Sequence, residues 1–423
     1  MSTQGKHPKV SKPAGATDEA SPGRRRSAPS GGSEPHAVGS VGATSPANRP
    51  PLGGAAPSGG SEPHAVGSVG AHIIRQDVQS MHAYAVQDST SLVKLDAMEN
   101  PHRLPADLQA ELGRRLGALA LNRYPDGRVN DLRAALADYA QMPDGFDIML
   151  GNGSDELISL LAMACDVPGA SILSPVPGFV MYAMSAQLQG LKFVGVPLTP
   201  DFELDEAAML AAIAKHRPAI TYLAYPNNPT ANLWDDAVIE KIVHAVGEQG
   251  GLVVMDEAYQ PFASKSYTGR IARHGHVLLL RTLSKFGLAG VRLGYLIGPR
   301  ALIAEIDKVR PPYNISVLNY ECALFALENQ EAFTAQAQEI RAQRAMILEA
   351  LGAMKNVKTW RSDANMILIR VPDAAKTFDG MKARGVLVKN VSKMHPLLTH
   401  CLRLTVGTAD ENVLMLAALK ESL

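Results

Sequence analysis

The chain has 423 residues, with 41 Lys plus Arg against 41 Asp plus Glu and a formal net charge of zero. That length exceeds a single small core and fits two folded domains plus an accessory segment. The neutral balance gives a polyanion nothing to hold by bulk attraction, so no nucleic-acid partner is expected.

Apolar residues make up 46% and charged residues 19% of the chain, a composition ordinary for a soluble protein. No apolar run reaches the ~20 residues that span a bilayer, and the N-terminus lacks an apolar secretory core, so a cytoplasmic protein with no membrane partner is expected. The three cysteines, Cys165, Cys322 and Cys401, are widely spaced in apolar runs and are expected as buried free thiols. No CxxC or HExxH spacing occurs, so no metal is expected.

Residues 1–71 are rich in Gly, Ser, Pro and Ala and carry a duplicated segment, APSGGSEPHAVGSVGA, at 28–43 and again at 56–71. Such a stretch buries too little apolar surface to offset its chain entropy and is expected to be disordered. A partner-binding arm using Arg24–Arg26, and a start of translation at Met81, are both compatible with it. Residues 72–104 have little periodicity and are expected to form an N-terminal arm.

Residues 105–310 are expected to form the larger domain. From about residue 145, short apolar runs alternate with helix-period segments. Strands are expected at Ile148–Leu150, Ser171–Leu173, Phe193–Pro197, Ile220–Ala224, Leu252–Met255, Val277–Leu280 and Leu293–Ile297. Helices are expected at Asp155–Ala164, Phe179–Leu188, Glu206–Lys215, Ala237–Glu248 and Ala301–Val309. Nearly all-apolar strands alternating with helices predict an α/β fold with a mostly parallel sheet covered on both faces.

The rhythm changes at Pro311–Pro312. A long helical stretch, Val317–Leu351, leads into Lys358–Trp360, Met366–Arg370, a helix at Ala375–Arg384, Leu387–Lys389, Leu402–Val406 and a final helix. Residues 311–423 are therefore expected to form a smaller α+β domain.

Ligands of open α/β sheets bind outside the carboxyl ends of the strands, and four polar clusters fall there. Gly151–Glu156 follows a strand and opens a helix, whose free N–H groups and dipole suit a phosphate; an ordinary helix start capped by Ser154 has the same appearance. Tyr225–Thr230 is a rigid loop of asparagines bracketed by prolines, equally compatible with a plain turn. Asp256–Tyr259 follows an apolar strand, where a carboxylate can face a protonated ring nitrogen or simply cap a loop.

The segment Arg281–Arg292 says most. Lys285 lies among small and apolar residues at a strand end, and burying an ammonium costs several kcal/mol unless it is paired or neutralised. Desolvation lowers a lysine pKa and makes the amine a nucleophile toward an aldehyde. Ser284 and Arg292 offer a hydroxyl and a fixed cation, a pair suited to a phosphate dianion.

Occurring together in this order, these segments resemble the fold type I pyridoxal-phosphate-dependent aminotransferases over most of residues 80–423. The resemblance implies that Lys285 carries the cofactor, pyridoxal 5'-phosphate, and later moves the substrate proton. It implies Asp256 against the pyridine nitrogen, and Asn228 and Tyr259 as donors to the phenolic oxygen. It further implies Ser154, Asp155, Thr282, Ser284 and Arg292 around the phosphate and Phe179 stacked on the ring.

Further segments resemble the histidinol-phosphate aminotransferase branch: Lys94–Pro101, Asn122–Asp126, Val309–Asn314, Ala364-Asn365 and Cys401–Thr408. That branch implies amino transfer between L-histidinol phosphate and 2-oxoglutarate, giving glutamate, in histidine biosynthesis. It implies a homodimer in which Tyr124 reaches the neighbouring subunit's cofactor phosphate. Arg403 and Lys389 are implied to meet the substrate's acidic group, and Tyr84 to line its pocket. Taken by themselves, Arg403 and Lys389 also read as outward strand residues and Tyr84 as surface.

Three positions depart from the family's pattern: Met98 stands where Asn is usual, Ala231 where Gly follows Asn-Pro-Thr, and Lys389 where a second Arg is common. A left-handed backbone at Ala231 is expected to be strained. Rival expectations are an aromatic or broad-specificity aminotransferase and a decarboxylase of a phosphorylated amino acid. A ligand-sensing regulator would need a DNA-binding module that residues 1–71 do not provide.

Overall fold

The computed structural model describes residues 73–81, 86–125 and 129–423. The tail at 1–71 and Tyr84 lie outside the described residues.

The strand residues expected from their apolar runs assemble into a seven-stranded sheet. In chain order the strands are β1 (Phe146–Gly151), β2 (Ser171–Val176), β3 (Lys192–Pro197), β4 (Ile220–Ala224), β5 (Leu252–Asp256), β6 (Val277–Thr282) and β7 (Gly294–Pro299). They lie in the spatial order β1-β7-β6-β5-β4-β2-β3. Neighbours pair in parallel except at β7, which runs antiparallel to both β1 and β6. The central strands β4 and β6 are buried along their whole length, which accounts for apolar runs without alternation.

Two cores cover the faces of this sheet. One gathers Leu173, Leu223, Val253, Leu279 and Tyr295; the other gathers Ile172, Tyr222, Val254, Leu278 and Leu296. These are alternate residues on each strand, as the pleat requires. Two of the covering helices start at capping side chains: Asp205 accepts from the Ala208 N–H at the head of Glu206–His216, and the Asp235 carboxylate accepts from the N–H groups of Ala237 and Val238 at the head of Asp236–Glu248.

A four-stranded antiparallel sheet follows: β8 (Lys358–Thr359), β9 (Met366–Arg370), β10 (Lys389–Asn390) and β11 (Cys401–Thr405), in the order β10-β11-β9-β8. A third core, with Met366, Leu402, Leu404 and Met415, packs around it.

Three expectations change in detail. The helical stretch Val317–Leu351 is two helices, Val317–Glu328 and Gln330–Gly352, interrupted at Asn329. The expected strand Leu387–Lys389 divides: Val386–Leu387 pairs in parallel with Val93–Lys94, while Lys389–Asn390 joins the four-stranded sheet. The thiols are free, but only Cys401 is buried; Cys165 and Cys322 are half-buried because each sits on the outer part of a helix or its end.

Candidate active site

A cavity of about 110 Å³ opens at the carboxyl ends of β4, β5 and β6. Its wall includes Ser154, Asp155, Phe179, Asn228, Asp256, Tyr259, Thr282, Ser284, Lys285 and Arg292. The sheet order explains the convergence: β5 ends at Asp256, β6 ends at Thr282, and the loop Tyr225–Thr230 leaves β4 beside them.

Lys285 sits in a tight turn, Ser284–Leu288, directly after β6. Its Nζ donates to the Ala97 carbonyl at 2.9 Å and stands 5.9 Å from the centre of the Tyr259 ring. Burial, then the Arg403 cation, pull the amine down to about 8 from the usual 10.5.

Asp256 is 4% exposed. Its Oδ2 accepts from the Tyr182 hydroxyl at 2.6 Å and its Oδ1 from the Ala258 N–H at 3.0 Å. Burial raises the carboxyl to about 6, and these two bonds oppose the rise without cancelling it.

The first and fourth clusters, far apart in sequence, meet because β1 and β7 pair so that Gly151 faces Gly294. Arg292 donates from Nη1 to the Ser284 hydroxyl at 3.2 Å and from Nη2 to the Asp155 carboxylate at 3.2 Å. Thr282 Oγ1 donates to Ser284 Oγ at 3.0 Å. Gly153 has φ +80°, and a Cβ there would lie 2.6 Å from Arg292 Nη2, so only glycine lets the guanidinium approach. The alternative of a helix capped by Ser154 does not hold: Ser154 is the first helical residue, Gly153 takes the cap position, and no side chain of the described residues bonds there.

Asn228 is held through its amide oxygen, which accepts from Arg403 Nη1 at 2.8 Å, leaving the donor nitrogen as the group it offers to the cavity. Arg403 is 7% exposed, against the outward alternative, and also donates to the Asp96 carbonyl at 2.7 Å. Lys389 lies directly opposite Arg403 in the β10–β11 register. Neither is in the wall that Lys285 shares.

Tyr124 is 75% exposed and stacks on Tyr313 at 4.4 Å, away from this cavity. Tyr182 was not among the expected site residues. It follows Phe179 by three positions, so both fall on one face of the helix opening at Val180, and that spacing was the available signal.

Among the described residues no group of three or more His, Cys, Asp or Glu is placed to hold a metal ion, and no helix is long and apolar enough to cross a membrane.

Known proteins match this chain over most of its length. The histidinol-phosphate aminotransferase of Polaromonas naphthalenivorans is 81% identical over 351 residues, covering 83% of this chain and 96% of that protein. That of Methylibium petroleiphilum is 73% identical over 350 residues, covering 83% and 94%. The fold matches the crystal structure of histidinol-phosphate aminotransferase from Sinorhizobium meliloti in complex with pyridoxal-5'-phosphate, with a TM-score of 0.73 at 23% identity, covering 85% of this chain and 98% of that one. The sequence pattern of aminotransferase class I and II matches residues 90–419, a span that holds every part of the cavity just described. The chain belongs to the class I and II aminotransferase family.

Proposed function

We propose that this protein is a pyridoxal-phosphate-dependent histidinol-phosphate aminotransferase, exchanging an amino group between L-histidinol phosphate and 2-oxoglutarate in histidine biosynthesis, in the cytoplasm and as a homodimer. The observation that carries the chemistry is the lowered amine of Lys285 facing one cavity with the buried Asp256 carboxylate and the Arg292–Ser284–Thr282 cluster. The likeness to the two relatives above carries the choice of substrate.

The residues fit the cofactor. A carboxylate buried among neutral donors and raised to about 6 calls for a cationic partner, which a protonated pyridine nitrogen supplies. A cation bonded to a hydroxyl beside a helix N-terminus suits a phosphate dianion. When bound, pyridoxal phosphate supplies an aldehyde that takes up the amino group and a ring that stores the electron pair left by a departing proton.

The chain's residues do the rest. Lys285 Nζ, neutral more readily than an ordinary lysine, accepts the substrate's α proton and returns it. Asp256 holds the ring's charge, and Asn228 Nδ2 and the Tyr259 hydroxyl donate toward the phenolic oxygen. Ser154 and Asp155, through backbone N–H groups, join Thr282, Ser284 and Arg292 around the phosphate. Phe179 covers the ring face. Arg403 and Lys389, opposite each other in the β10–β11 register, meet the substrate's acidic group. Tyr84 lines the substrate side, and Tyr124 serves the neighbouring subunit's phosphate. Residues 105–310 act as the cofactor domain and 311–423 as the smaller one, with 72–104 as an arm.

Turnover of histidinol phosphate, phenylalanine and tyrosine with 2-oxoglutarate tests the substrate. Histidinol phosphate is expected to have the highest kcat/KM. Equal or faster turnover of the aromatic amino acids assigns a broad-specificity aminotransferase instead. Borohydride reduction of the loaded enzyme is expected to label the peptide containing Lys285.

A further inference from the structure

Asn365 stands at the head of β9 and has no part in the chemistry above. It is fully buried, yet its amide oxygen has no hydrogen-bond partner among the described residues. A buried polar group half-satisfied in this way costs stability, so its donor side must serve something. Nδ2 donates to the Met98 carbonyl at 2.9 Å and the Glu99 carbonyl at 3.4 Å.

Met98 is the reason this contact matters. Its φ is +52°, in the left-handed region that a side chain other than Gly, Asn or Asp rarely adopts. Such a residue persists only where its surroundings hold it. Two bonds do so: Asn365 takes its carbonyl, and its N–H donates to Thr405 Oγ1 at 3.1 Å. Thr405 pairs with Met366 next to Asn365, so both holds come from one end of the small sheet.

The Met98 N–H belongs to the same rigid peptide plane as the Ala97 carbonyl, which accepts from Lys285 Nζ at 2.9 Å. Rotation about φ of Met98 therefore swings that carbonyl. If Met98 relaxed to the right-handed or extended region, the acceptor would leave the amine.

We propose that Asn365, with Thr405, is a positioning residue that locks the Ala97–Met98 peptide so that the Ala97 carbonyl receives Lys285 Nζ while the amine carries a proton. The catalytic meaning of the lock rests on the function proposed above. The lock itself does not, and its test uses cofactor-free protein.

The test is competitive amine labelling with a small acylating reagent across a pH series, with mass spectrometry of the Lys285 peptide. Loss of the carbonyl removes a hydrogen bond to the charged amine. The labelling midpoint of Lys285 is expected to move down by about one pH unit in Asn365→Ala. Of the charged groups bearing on Lys285, namely Arg403, Glu99, Asp155 and Arg292, only Glu99 lies on the segment that Asn365 holds, so the comparison is repeated in a Glu99→Gln background, where the shift reports on the carbonyl. Thr405→Val removes the other hold at nearly constant shape and is expected to shift the midpoint the same way; it decides the matter if Asn365→Ala does not fold. In the loaded enzyme kcat is expected to drop about tenfold with KM little changed. A folded Asn365→Ala or Thr405→Val protein with the wild-type midpoint overturns the proposal. Failure of wild type to take pyridoxal phosphate at Lys285 would instead remove the proposed function and leave the lock standing.

Discussion

Asp256 and Lys285 show how burial, the largest influence on each, moves an acid and a base in opposite directions. Asp256 titrates near 6 in the folded protein against 3.8 for the free group, burial being the largest cause. Between those values the folded protein keeps a proton that the unfolded chain has lost. Stability of the cofactor-free protein should therefore fall as pH rises through that window, by up to about 3 kcal/mol. Urea unfolding at a series of pH values checks this, and Asp256→Asn should flatten that part of the curve; a slope unchanged by the substitution would assign it to other groups. Lys285→Ala should lower kcat by at least roughly a thousandfold while the fold survives, since the variant only removes a buried amine. Wild-type turnover in that variant would end the assignment of Lys285. Departures from the family pattern prove physical at this scale. Ala231 does adopt φ +66° with its side chain fully buried, a strain of about 1 kcal/mol or more that glycine would avoid.

Elements place these side chains by their ends. The lysine turn follows β6, Asp256 closes β5, and the helix at Ser154 begins where β1 stops beside β7. Gly153, just before that helix, is where the Arg292 side chain comes closest to the backbone. Gly153→Ala should push the Arg292 guanidinium off the helix N-terminus and weaken cofactor binding about tenfold, as loss of one charge-assisted bond does. Fluorescence titration with pyridoxal phosphate measures it, and an unchanged Kd would show that Arg292 has another way to reach the phosphate. Strand and helix types were legible because buried parallel strands read as unbroken apolar runs and helices as a 3.6-residue period. Breaks inside a run were less legible. The two helices around Asn329 follow one another with no proline or glycine between them, and Leu387–Lys389 reads as one strand although its ends serve different sheets.

At the scale of the molecule, Tyr124 and Tyr313 form an exposed aromatic pair, which fits a surface closed by a second subunit. Sedimentation should give a dimer, and Tyr124→Ala should release pyridoxal phosphate about tenfold more readily without dissociating it. A fully active monomer would refute the shared site. The amino-acid sequence on its own placed Lys285, Asp256 and the Ser284–Arg292 pair at the ends of apolar strands, because local patterning shows where strands stop; the roles proposed for them came from the family resemblance. It also determined that left-handed alanine would be strained once its loop was recognised. Only the tertiary structure decided which distant groups touch. Tyr182 on Asp256, Arg403 behind Asn228 and Asn365 on Met98 join residues separated by 74 to 267 positions. Such contacts are made by sheet order and register, and single-chain periodicity carries no record of which strand end will lie beside which.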